Sequence, residues 1–471
     1  MKKKFINLAL GPVLFILVSV LLEDVFSGSS VHAIATLIWM VFWWVTRPVN
    51  ITITAILPIV INIFYEILPM KTLTGTYISE SIILIFGSGL LTIAWPKINL
   101  DRRIALKVLS LVGPSITSQI VVWLLASVVL SVAMPNVAVC ALLCPIAVSM
   151  LKEAGEVDIK KSLVGVPILL SIGWGSGIGG AGSPLGGAMN LTAIAYMEQF
   201  TGKEFMYVDW VVRMAPYFVI STALLLFGLI AMYKKVNNLE GSKEYFLRHY
   251  KELGAMSTIE KISATMFGIA VMGSFLRPVY AHILPGLSPA YIFMLLGFIT
   301  LFLCNRKGEN YVDWTYVQQN TLWDMMILFG GGLALGELIN GSGATQVFSS
   351  LVTGLSLDGG LITITIFVVI ARIFSEITNS TTSSAIMIPI VISFCVELGL
   401  NPIPYWFITV MGFSAEFALP ISVRCIPVSL GLDPAKMLKG GLLMTTLNIV
   451  VVVILSYLLL HFWPTFSAPL L

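Results

Sequence analysis

The sequence predicts an all-α polytopic membrane protein with about eleven transmembrane helices and two re-entrant hairpins arranged in inverted repeats. Of its 471 residues, 57% are hydrophobic and only 11% are charged, with a mean hydropathy of +0.94. A soluble domain carries roughly 25% charged residues. Apolar runs recur that are long enough to cross a bilayer, which takes ~20 residues. Matching motifs also recur about half a chain length apart, which indicates two related halves.

The apolar stretches differ in length, and the difference separates spans from hairpins. Stretches 115–151 and 359–397 are too long for one crossing and are interrupted by polar residues, so each is predicted to return to its own side of the membrane. The remaining stretches predict spans near residues 5–22, 31–46, 51–68, 79–96, 162–199, 210–233, 262–276, 289–304, 321–340, 402–430 and 440–461.

The basic residues orient these spans. With a cytoplasmic N-terminus, most of the 27 lysines and arginines fall in cytoplasmic segments, as the positive-inside rule requires. An odd number of spans then places the C-terminus outside. The net charge of +3 is small and does not indicate a nucleic-acid partner. The expected location is the cytoplasmic (inner) membrane of a bacterium.

Two motifs occur once in each half. Residues 85–90 read Ile-Phe-Gly-Ser-Gly-Leu, and residues 328–333 read Leu-Phe-Gly-Gly-Gly-Leu. In the hairpins, Pro-Asn-Val at 135–137 corresponds to Asn-Ser-Thr at 379–381 in a gap-free alignment, and a shift of one residue would make the second tip Thr-Asn-Ser at 378–380. The glycine motifs lie an odd number of spans apart, so the halves are inverted relative to each other. Inverted repeats with polar tips among apolar residues are typical of secondary transporters, which bind substrate between the halves.

The hairpin tips are the predicted binding elements. At each tip a half-helix begins, and its free N–H groups and positive dipole end attract an anion. Pro135 suits the first position of a helix, and Asn136 beside it offers a side-chain donor. Hydroxyl and amide groups crowd the second tip from Thr378 to Thr382. The alternative, a pair of capped helix starts without a ligand, is disfavoured because the tips occupy equivalent positions in both halves.

Each hairpin is followed by a second helix that is predicted to be broken. The first break is residues 173–187, where the glycines predict backbone that approaches a ligand or ion rather than a helix interior. Its GxGxxG-like spacing is not a dinucleotide signature because no strand precedes it. The second break is residues 418–427, where Pro420 and Pro427 interrupt hydrogen bonding.

Arg424 lies in the second break at membrane depth. A charged side chain there is costly and indicates a function. The alternative is a structural pair with Glu416 or Glu376. Arg372 and Glu376, four residues apart on one helix, are expected to pair with each other.

Other classes of protein fit less well. The five cysteines show no metal-binding spacing, so buried free thiols are expected, with no metal and no cofactor. A channel is disfavoured because the sequence has no repeated pore ring or voltage-sensing arginine series. With four histidines and no carboxylate dyad, an enzyme is not expected.

The hairpins and breaks resemble the divalent anion–sodium symporter family, the INDY-type dicarboxylate transporters, and point to its bacterial exchanger branch. That family has Ser-Asn-Thr at each tip, a glycine-rich first break that ends in Pro-Pro-Asn, and a second break with Leu-Pro and Thr-Pro-Pro-Asn-Ala. Residues 179–190 match the first break in their glycines and closing asparagine, and residues 413–431 cover the second. The resemblance runs from about residue 50 to the C-terminus. It implies that the tips bind substrate carboxylates and that a transport domain moves, by an elevator mechanism, against a dimeric scaffold.

The chain departs from the family pattern where sodium is bound in sodium-coupled members. The first tip lacks hydroxyls, the first break lacks its two prolines, and residues 423–426 read Val-Arg-Cys-Ile. Arg424 is therefore expected to compensate the substrate's charge in place of sodium. The predicted function is sodium-independent exchange of C4/C5 dicarboxylates such as 2-oxoglutarate, succinate or malate. The alternative is a sodium- or proton-coupled symporter of dicarboxylates or citrate.

These inferences give a domain plan and a set of site residues, with a dicarboxylate, the bilayer and a second copy of the chain as partners. The domains are predicted to be scaffold helices in 1–114 and 262–344, transport-domain halves in 115–233 and 345–471, and a cytoplasmic linker in 234–261. The substrate-binding residues are predicted to be Pro135, Asn136, Val137, Ser183, Pro184, Gly186, Thr378, Asn379, Ser380, Thr381 and Arg424.

Overall fold

The computed structural model is helical throughout the part of the chain that it describes, as the sequence predicts. No strand occurs among these residues, and one isolated bridge joins Cys304 to Asn310. The described residues are 2–25, 28–156, 158–236, 238–239, 241–305, 307–344 and 357–471.

The first half and the linker contain fourteen described α-helices. In chain order they are α1 Lys2–Leu21, α2 Ser29–Thr46, α3 Ile51–Thr54, α4 Leu57–Tyr65, α5 Met70–Gly75, α6 Glu80–Thr92, α7 Trp95–Ile98, α8 Leu100–Leu109, α9 Ile116–Ala133, α10 Asn136–Glu153, α11 Gly165–Gly180, α12 Ala188–Thr201, α13 Tyr207–Tyr233 and α14 Ser242–Glu252.

The described residues of the second half contain eleven more. They are α15 Thr258–Phe275, α16 Arg277–Tyr280, α17 Pro289–Thr300, α18 Trp314–Asn320, α19 Trp323–Gly341, α20 Leu361–Ile377, α21 Ser380–Glu397, α22 Pro402–Phe413, α23 Cys425–Ser429, α24 Pro434–Phe462 and α25 Pro464–Ser467. The predicted start of the second transport-domain half, residue 345, lies outside the described residues.

Eight described helices are long and apolar enough to cross a membrane, or nine if α18 and α19, which bend by 57°, count as one span. The predicted number was eleven. Several predicted spans fall short by this measure because each consists of two shorter helices: 51–68 contains α3 and α4, and 162–199 contains α11 and α12. The span count and the re-entrant path of the hairpins stay predictions.

Two helix–turn–helix units occupy the stretches predicted to be hairpins. Hairpin 1 is α9 and α10, which turn at Met134 and Pro135; Met134 is extended, as expected before a proline. Hairpin 2 is α20 and α21, whose N-cap Asn379 accepts a hydrogen bond from the backbone N–H of Thr382 at 2.8 Å. Pro135 is also an N-cap, one residue earlier than predicted. The helix starts pair Asn136 with Ser380, as a gap-free alignment of the tips does.

The prediction that the glycine-rich segment from residue 173 onward lies outside a helix is wrong for its first part, because residues 173–180 continue α11. They serve close packing instead. A Cβ at Gly175 would lie 2.2 Å from Ser127 Oγ, and one at Gly179 would lie 2.5 Å from Val128 O, so α11 lies directly against α9. The interruption, break 1, is residues 181–187, with one short 3-10 turn at Pro184–Gly186.

The second interruption, break 2, also begins elsewhere than predicted. Helix α22 ends at Phe413, before either proline, and residues 414–421 are irregular. A 3-10 turn at Ser422–Arg424 and α23 follow, and Pro427 lies within the first turn of α23, where its missing N–H costs little. The chain is therefore interrupted as predicted, but the prolines do not end α22.

The core interleaves the two halves. One buried cluster packs hairpin 1 and α11 against Phe417 and Val423 of the second half. Another packs α12 and α13 of the first half against hairpin 2 and α22. The breaks are thus surrounded by side chains from both repeats.

The segment predicted to be a cytoplasmic linker, residues 234–261, packs against the helix bundle. In α14, Phe246 is fully buried and its ring lies 5.7 Å from that of Trp123 in hairpin 1. Arg103 of α8 is buried, lies 2.5 Å from Glu260 and donates to the carbonyls of Leu253 and Gly254. The amphipathic face of α14 therefore has a packing role.

Candidate functional site

Break 1 lies against the tip of hairpin 1. Ser183 Oγ donates to Val132 O at 2.5 Å. Asn190 Nδ2 donates to Gly180 O at 2.6 Å and to Ser183 O at 2.8 Å. These hydrogen bonds connect the start of α12 to the end of α11 and to the backbone of break 1. A Cβ at Gly186 would lie 2.4 Å from Gly180 O. Of the predicted site residues, Ser183 and Gly186 therefore hold break 1 together.

Asn136 is the predicted site residue at this tip that faces the break. Its Oδ1 accepts a hydrogen bond from the backbone N–H of Val137 at 2.9 Å, and a Cβ at Gly180 would lie 3.2 Å from its Nδ2. Pro135, Asn136 and Val137 are all half-buried. The amide N–H₂ of Asn136 is thus directed at the interruption and can serve as a donor there.

A cavity of about 480 Å³ reaches the same tip. It is lined by Met134 and Pro135 of the tip, Gly89 of the repeated glycine motif, Asp101, and Tyr316 of the second half. The cavity separates hairpin 1 from helices predicted to form the scaffold. A solute in it would meet the start of α10.

Two buried oxygen atoms beside break 1 have no hydrogen-bond partner among the described residues. They are Ser131 Oγ, one turn before the tip, and Asn190 Oδ1. Buried polar atoms are almost always satisfied, so each of these oxygens can accept a hydrogen bond from a water or coordinate a cation. Unwound backbone and oxygen ligands are what transporters use to hold Na⁺. The sequence analysis missed Ser131, although a hydroxyl one helical turn from a predicted tip could have drawn attention.

The tip of hairpin 2 is tied to its surroundings through hydroxyl and backbone groups. Thr378 Oγ1 donates to Phe374 O at 2.6 Å, and Ser380 Oγ donates to Glu416 Oε1 at 2.7 Å. Arg47, at the end of α2, donates to Thr378 O at 3.1 Å. Thr381 is half-buried. The predicted ligands Thr378, Asn379 and Ser380 therefore already have partners within the protein.

Arg424 lies between two carboxylates next to this tip. It is 1% exposed, with Nη1 2.5 Å from Glu376 Oε2 and Nη2 2.8 Å from Glu416 Oε2. The structural pairing considered in the sequence analysis is thus present twice. The predicted Arg372–Glu376 pair is wrong: Arg372 donates to Asn448 Oδ1 at 2.7 Å, because the Glu376 side chain faces break 2.

Glu376 closes break 2 in the way an anion closes an open backbone nest. Its oxygens accept hydrogen bonds from the backbone N–H groups of Phe417, Ala418 and Leu419, at 2.8 to 3.4 Å, and from Thr445 Oγ1 at 2.9 Å. The prolines of this break were predicted to interrupt hydrogen bonding, and the backbone N–H groups left free there are occupied by a side chain of hairpin 2.

Hydrogen bonds across the repeats hold both tips and both breaks in one unit. Trp174 Nε1 of α11 donates to Phe417 O in break 2 at 3.0 Å. Ser384 Oγ of hairpin 2 donates to Met189 O beside break 1 at 2.9 Å. Each tip therefore lies against the break of its own half, and the two tip–break pairs are joined through α11 and α21.

Comparisons with known proteins agree with this architecture. The family profile described as citrate transporter (CitMHS) matches residues 41–412. A protein of Staphylococcus saprophyticus, the sodium-dependent dicarboxylate transporter SdcS, is 27% identical over an alignment 478 residues long, gaps included, which covers 97% of this chain and 91% of the relative. The protein of the same name in Staphylococcus aureus strain NCTC 8325 is 26% identical over an alignment of 485 residues, which covers 96% of this chain and 91% of the relative.

Among solved structures, the Alcanivorax borkumensis YdaH transporter is similar with a TM-score of 0.54 at 12% identity, covering 84% of this chain and 89% of that one. This likeness concerns the fold alone. The resemblance to INDY-type transporters is confirmed at the level of the family. Because the family profile spans most of the sequence, the chain belongs to the citrate transporter family and is a multi-pass membrane transport protein, not an enzyme.

Proposed function

We propose that this protein is a secondary transporter that carries C4/C5 dicarboxylates or citrate across the bacterial inner membrane together with a cation. The observation that carries the proposal is the pair of hairpin tips at equivalent positions of the two halves, each against an interrupted helix. The half-helices that start at Asn136 and Ser380 present N–H groups and positive dipole ends at these tips. Two such ends suit a substrate with a carboxylate at each end. The staphylococcal relatives are described as dicarboxylate transporters, which is in keeping with this substrate class.

Cation coupling is favoured over sodium-independent exchange by the charges around Arg424. Sodium-independent exchange requires a fixed positive charge that is free to meet the substrate. Here both arms of Arg424 are paired, one with Glu376 and the other with Glu416, so its charge is not free to meet the substrate. A dianion that crosses the low-dielectric centre therefore needs positive charge from elsewhere.

Sodium is the cation that the surroundings of break 1 favour. The unpartnered oxygens of Ser131 and Asn190 lie beside non-helical backbone, and hydroxyl, amide and carbonyl oxygens are the ligands hard cations prefer. Both relatives named above are described as sodium-dependent. The bound ion would offset part of the substrate charge next to the first tip.

The movement is proposed to be an elevator-type displacement of the two tip–break pairs against the remaining helices, within a homodimer. The cross-repeat hydrogen bonds of Trp174 and Ser384 favour movement of both pairs as one body. The proposed orientation has the N-terminus in the cytoplasm and the C-terminus outside, as the basic residues indicate.

Uptake into proteoliposomes tests substrate and coupling together. Purified protein is reconstituted, and uptake of radiolabelled succinate, malate, 2-oxoglutarate and citrate is measured into empty or substrate-loaded liposomes, with and without an inward sodium gradient. We expect uptake into empty liposomes that depends on the sodium gradient. Protein-free liposomes are the control.

The other outcomes separate the alternatives. Uptake only into loaded liposomes, at the same rate without sodium, would overturn cation coupling and establish exchange. A requirement for a proton gradient in place of sodium would identify the coupling ion as H⁺. If none of the four acids is carried under any condition, the proposed substrate class is wrong.

A further inference from the structure

Glu416 uses the groups that a substrate carboxylate would need at the second tip. Its Oε1 accepts hydrogen bonds from Ser380 Oγ at 2.7 Å and Ser375 Oγ at 3.0 Å, and its Oε2 lies 2.8 Å from Arg424 Nη2. A hydroxyl at the helix start and one arm of a guanidinium are a suitable pair of donors for a carboxylate. The proposed function assigns such a carboxylate to this tip.

The two carboxylates of the cluster are held in different ways. Glu376 accepts from three backbone N–H groups of break 2, so it cannot leave without unmaking the interruption. Glu416 is held by the side chains of Ser375, Ser380 and Arg424. These side chains can reorient without unmaking the backbone of break 2, and Arg424 keeps Glu376 as a partner when Glu416 leaves. Glu416 is therefore the exchangeable member of the pair.

The charges that face Glu416 set the direction of the effect. Arg424 faces it from the 3-10 turn after break 2, Glu376 and Arg372 from α20, and Arg47 borders the tip from the end of α2. An ionised Glu416 repels an approaching dicarboxylate and occupies Arg424. A protonated Glu416 removes that repulsion and leaves Ser380 and one arm of Arg424 for the substrate.

We propose that Glu416 is a tethered competitor of the substrate: its carboxylate takes the place of a substrate carboxylate on Ser380 and Arg424, and it takes up a proton when the substrate displaces it. This inference rests on the proposed function and adds a regulatory group to the same site. The apparent affinity for the substrate then depends on the fraction of molecules in which Glu416 has left Ser380 and Arg424, since apparent affinity scales with the fraction of molecules competent to bind.

The test compares Glu416→Gln with wild type in detergent solution. Equilibrium binding is measured between pH 6.5 and 8.5 with whichever of succinate, malate, 2-oxoglutarate and citrate is taken up most. In wild type we expect weaker binding as pH rises, because the proton must be supplied from solution. In Glu416→Gln we expect binding about tenfold tighter at pH 8 and independent of pH. Titration of the substrate is common to both proteins, so it does not produce this difference.

Thr445→Val is the matched control in the same cluster. Thr445 donates to Glu376 and does not contact Glu416, so this variant should keep the pH dependence of wild type. A second measurement uses wild type alone: substrate is added in weakly buffered solution with a pH indicator, and proton uptake on binding is expected. This measurement keeps the proposal testable if Glu416→Gln does not fold.

The outcomes distinguish this inference from the proposed function. Equal or weaker binding by folded Glu416→Gln, or binding by wild type without proton uptake, would overturn the competitor role and leave the transporter assignment in place. Failure of wild type to bind any of the four acids would overturn the proposed substrate class and the competitor role with it.

Discussion

At the scale of single residues, the decisive side chain is Arg424. It is 1% exposed and joins hairpin 2 to break 2 through two carboxylates. Removing one partner of a buried ion pair leaves an uncompensated charge, which costs far more than the pair itself contributes. The role of Arg424 in compensating the charge of the substrate stays a prediction. Glu376 and Glu416 already pair with its two arms, so its charge is partly neutralised. The pairing gives Arg424 a structural role that its sequence position alone does not reveal.

Arg424→Gln is expected to lower the free energy of unfolding by ~3–5 kcal/mol, because two buried carboxylates lose their cation. The double variant Arg424→Gln with Glu416→Gln should recover part of this loss, since one of those charges is removed as well. Thermal unfolding in detergent, measured for wild type, both single variants and the double variant, completes the cycle. Equal melting temperatures in wild type and Arg424→Gln would contradict the structural role.

At the scale of elements, glycine decides how closely the helices of the first half approach. Gly175 and Gly179 lie on the face of α11 that contacts α9, whereas Gly177 has no atom within 4 Å of where its Cβ would be. The repeated glycine motif acts in the same way: a Cβ at Gly87 would lie 2.5 Å from Met294 N, and one at Gly331 would lie 2.1 Å from Ala55 O. Gly175 and Gly179 thus set the distance between α11 and hairpin 1, whereas Gly87 and Gly331 set distances between helices predicted to form the scaffold.

Gly179→Ala and Gly177→Ala are a matched pair that tests this packing. The new methyl of Gly179→Ala would meet backbone, so α9 and α11 must separate, at a cost of ~1–3 kcal/mol or more. Gly177→Ala meets nothing and gains up to ~1 kcal/mol of helix propensity. We expect a lower melting temperature for the first variant and an unchanged or higher one for the second. The same shift in both variants would contradict the packing role.

At the scale of the whole molecule, the two repeats complete each other. Hairpin 1 and α11 bury break 2, while hairpin 2 packs on α12 beside break 1. Arg47, in a helix predicted to belong to the scaffold, donates to the carbonyl of Thr378 at the second tip. If the tips move as one body against the scaffold, this hydrogen bond must break during transport.

Accessibility of single cysteines tests the inverted arrangement. The expectation of buried thiols is wrong for two of the five cysteines: Cys304 and Cys425 are exposed, whereas Cys140, Cys144 and Cys395 are buried. A background with serine at the two exposed positions should therefore be almost unreactive. A cysteine introduced near Asn136 should react with a membrane-impermeant maleimide from the cytoplasmic side, and one introduced near Ser380 should react from outside, in alternation as substrate and sodium change.

The control for this labelling is the serine background without an added cysteine, treated from each side in turn. Reaction of both tips from the same side under every condition would contradict inverted repeats. Reaction of each tip from its own side without any response to substrate would leave the topology intact and contradict alternating access.

The sequence by itself determined the class of protein and the location of its two hairpins. Hydrophobicity, a repeated motif and polar interruptions are properties of contiguous residues, so the hairpins at 115–151 and 359–397 and the class of secondary transporter followed from them, while the family followed from the resemblance of the tip and break motifs. A gap-free alignment also paired Asn136 with Ser380, and the helix starts in the structure favour it over the alignment shifted by one residue.

Tertiary structure alone decided which groups are available at the tips. Arg424 could have met the substrate or a carboxylate, and only the fold places Glu376 and Glu416 on both its arms. A glycine-rich sequence is compatible with an interrupted helix and with a closely packed one. Only the position of α9 against Gly179 shows that this glycine lies in a closely packed helix. Charge pairing and close packing depend on residues far apart in the chain, so they are set when the two halves come together.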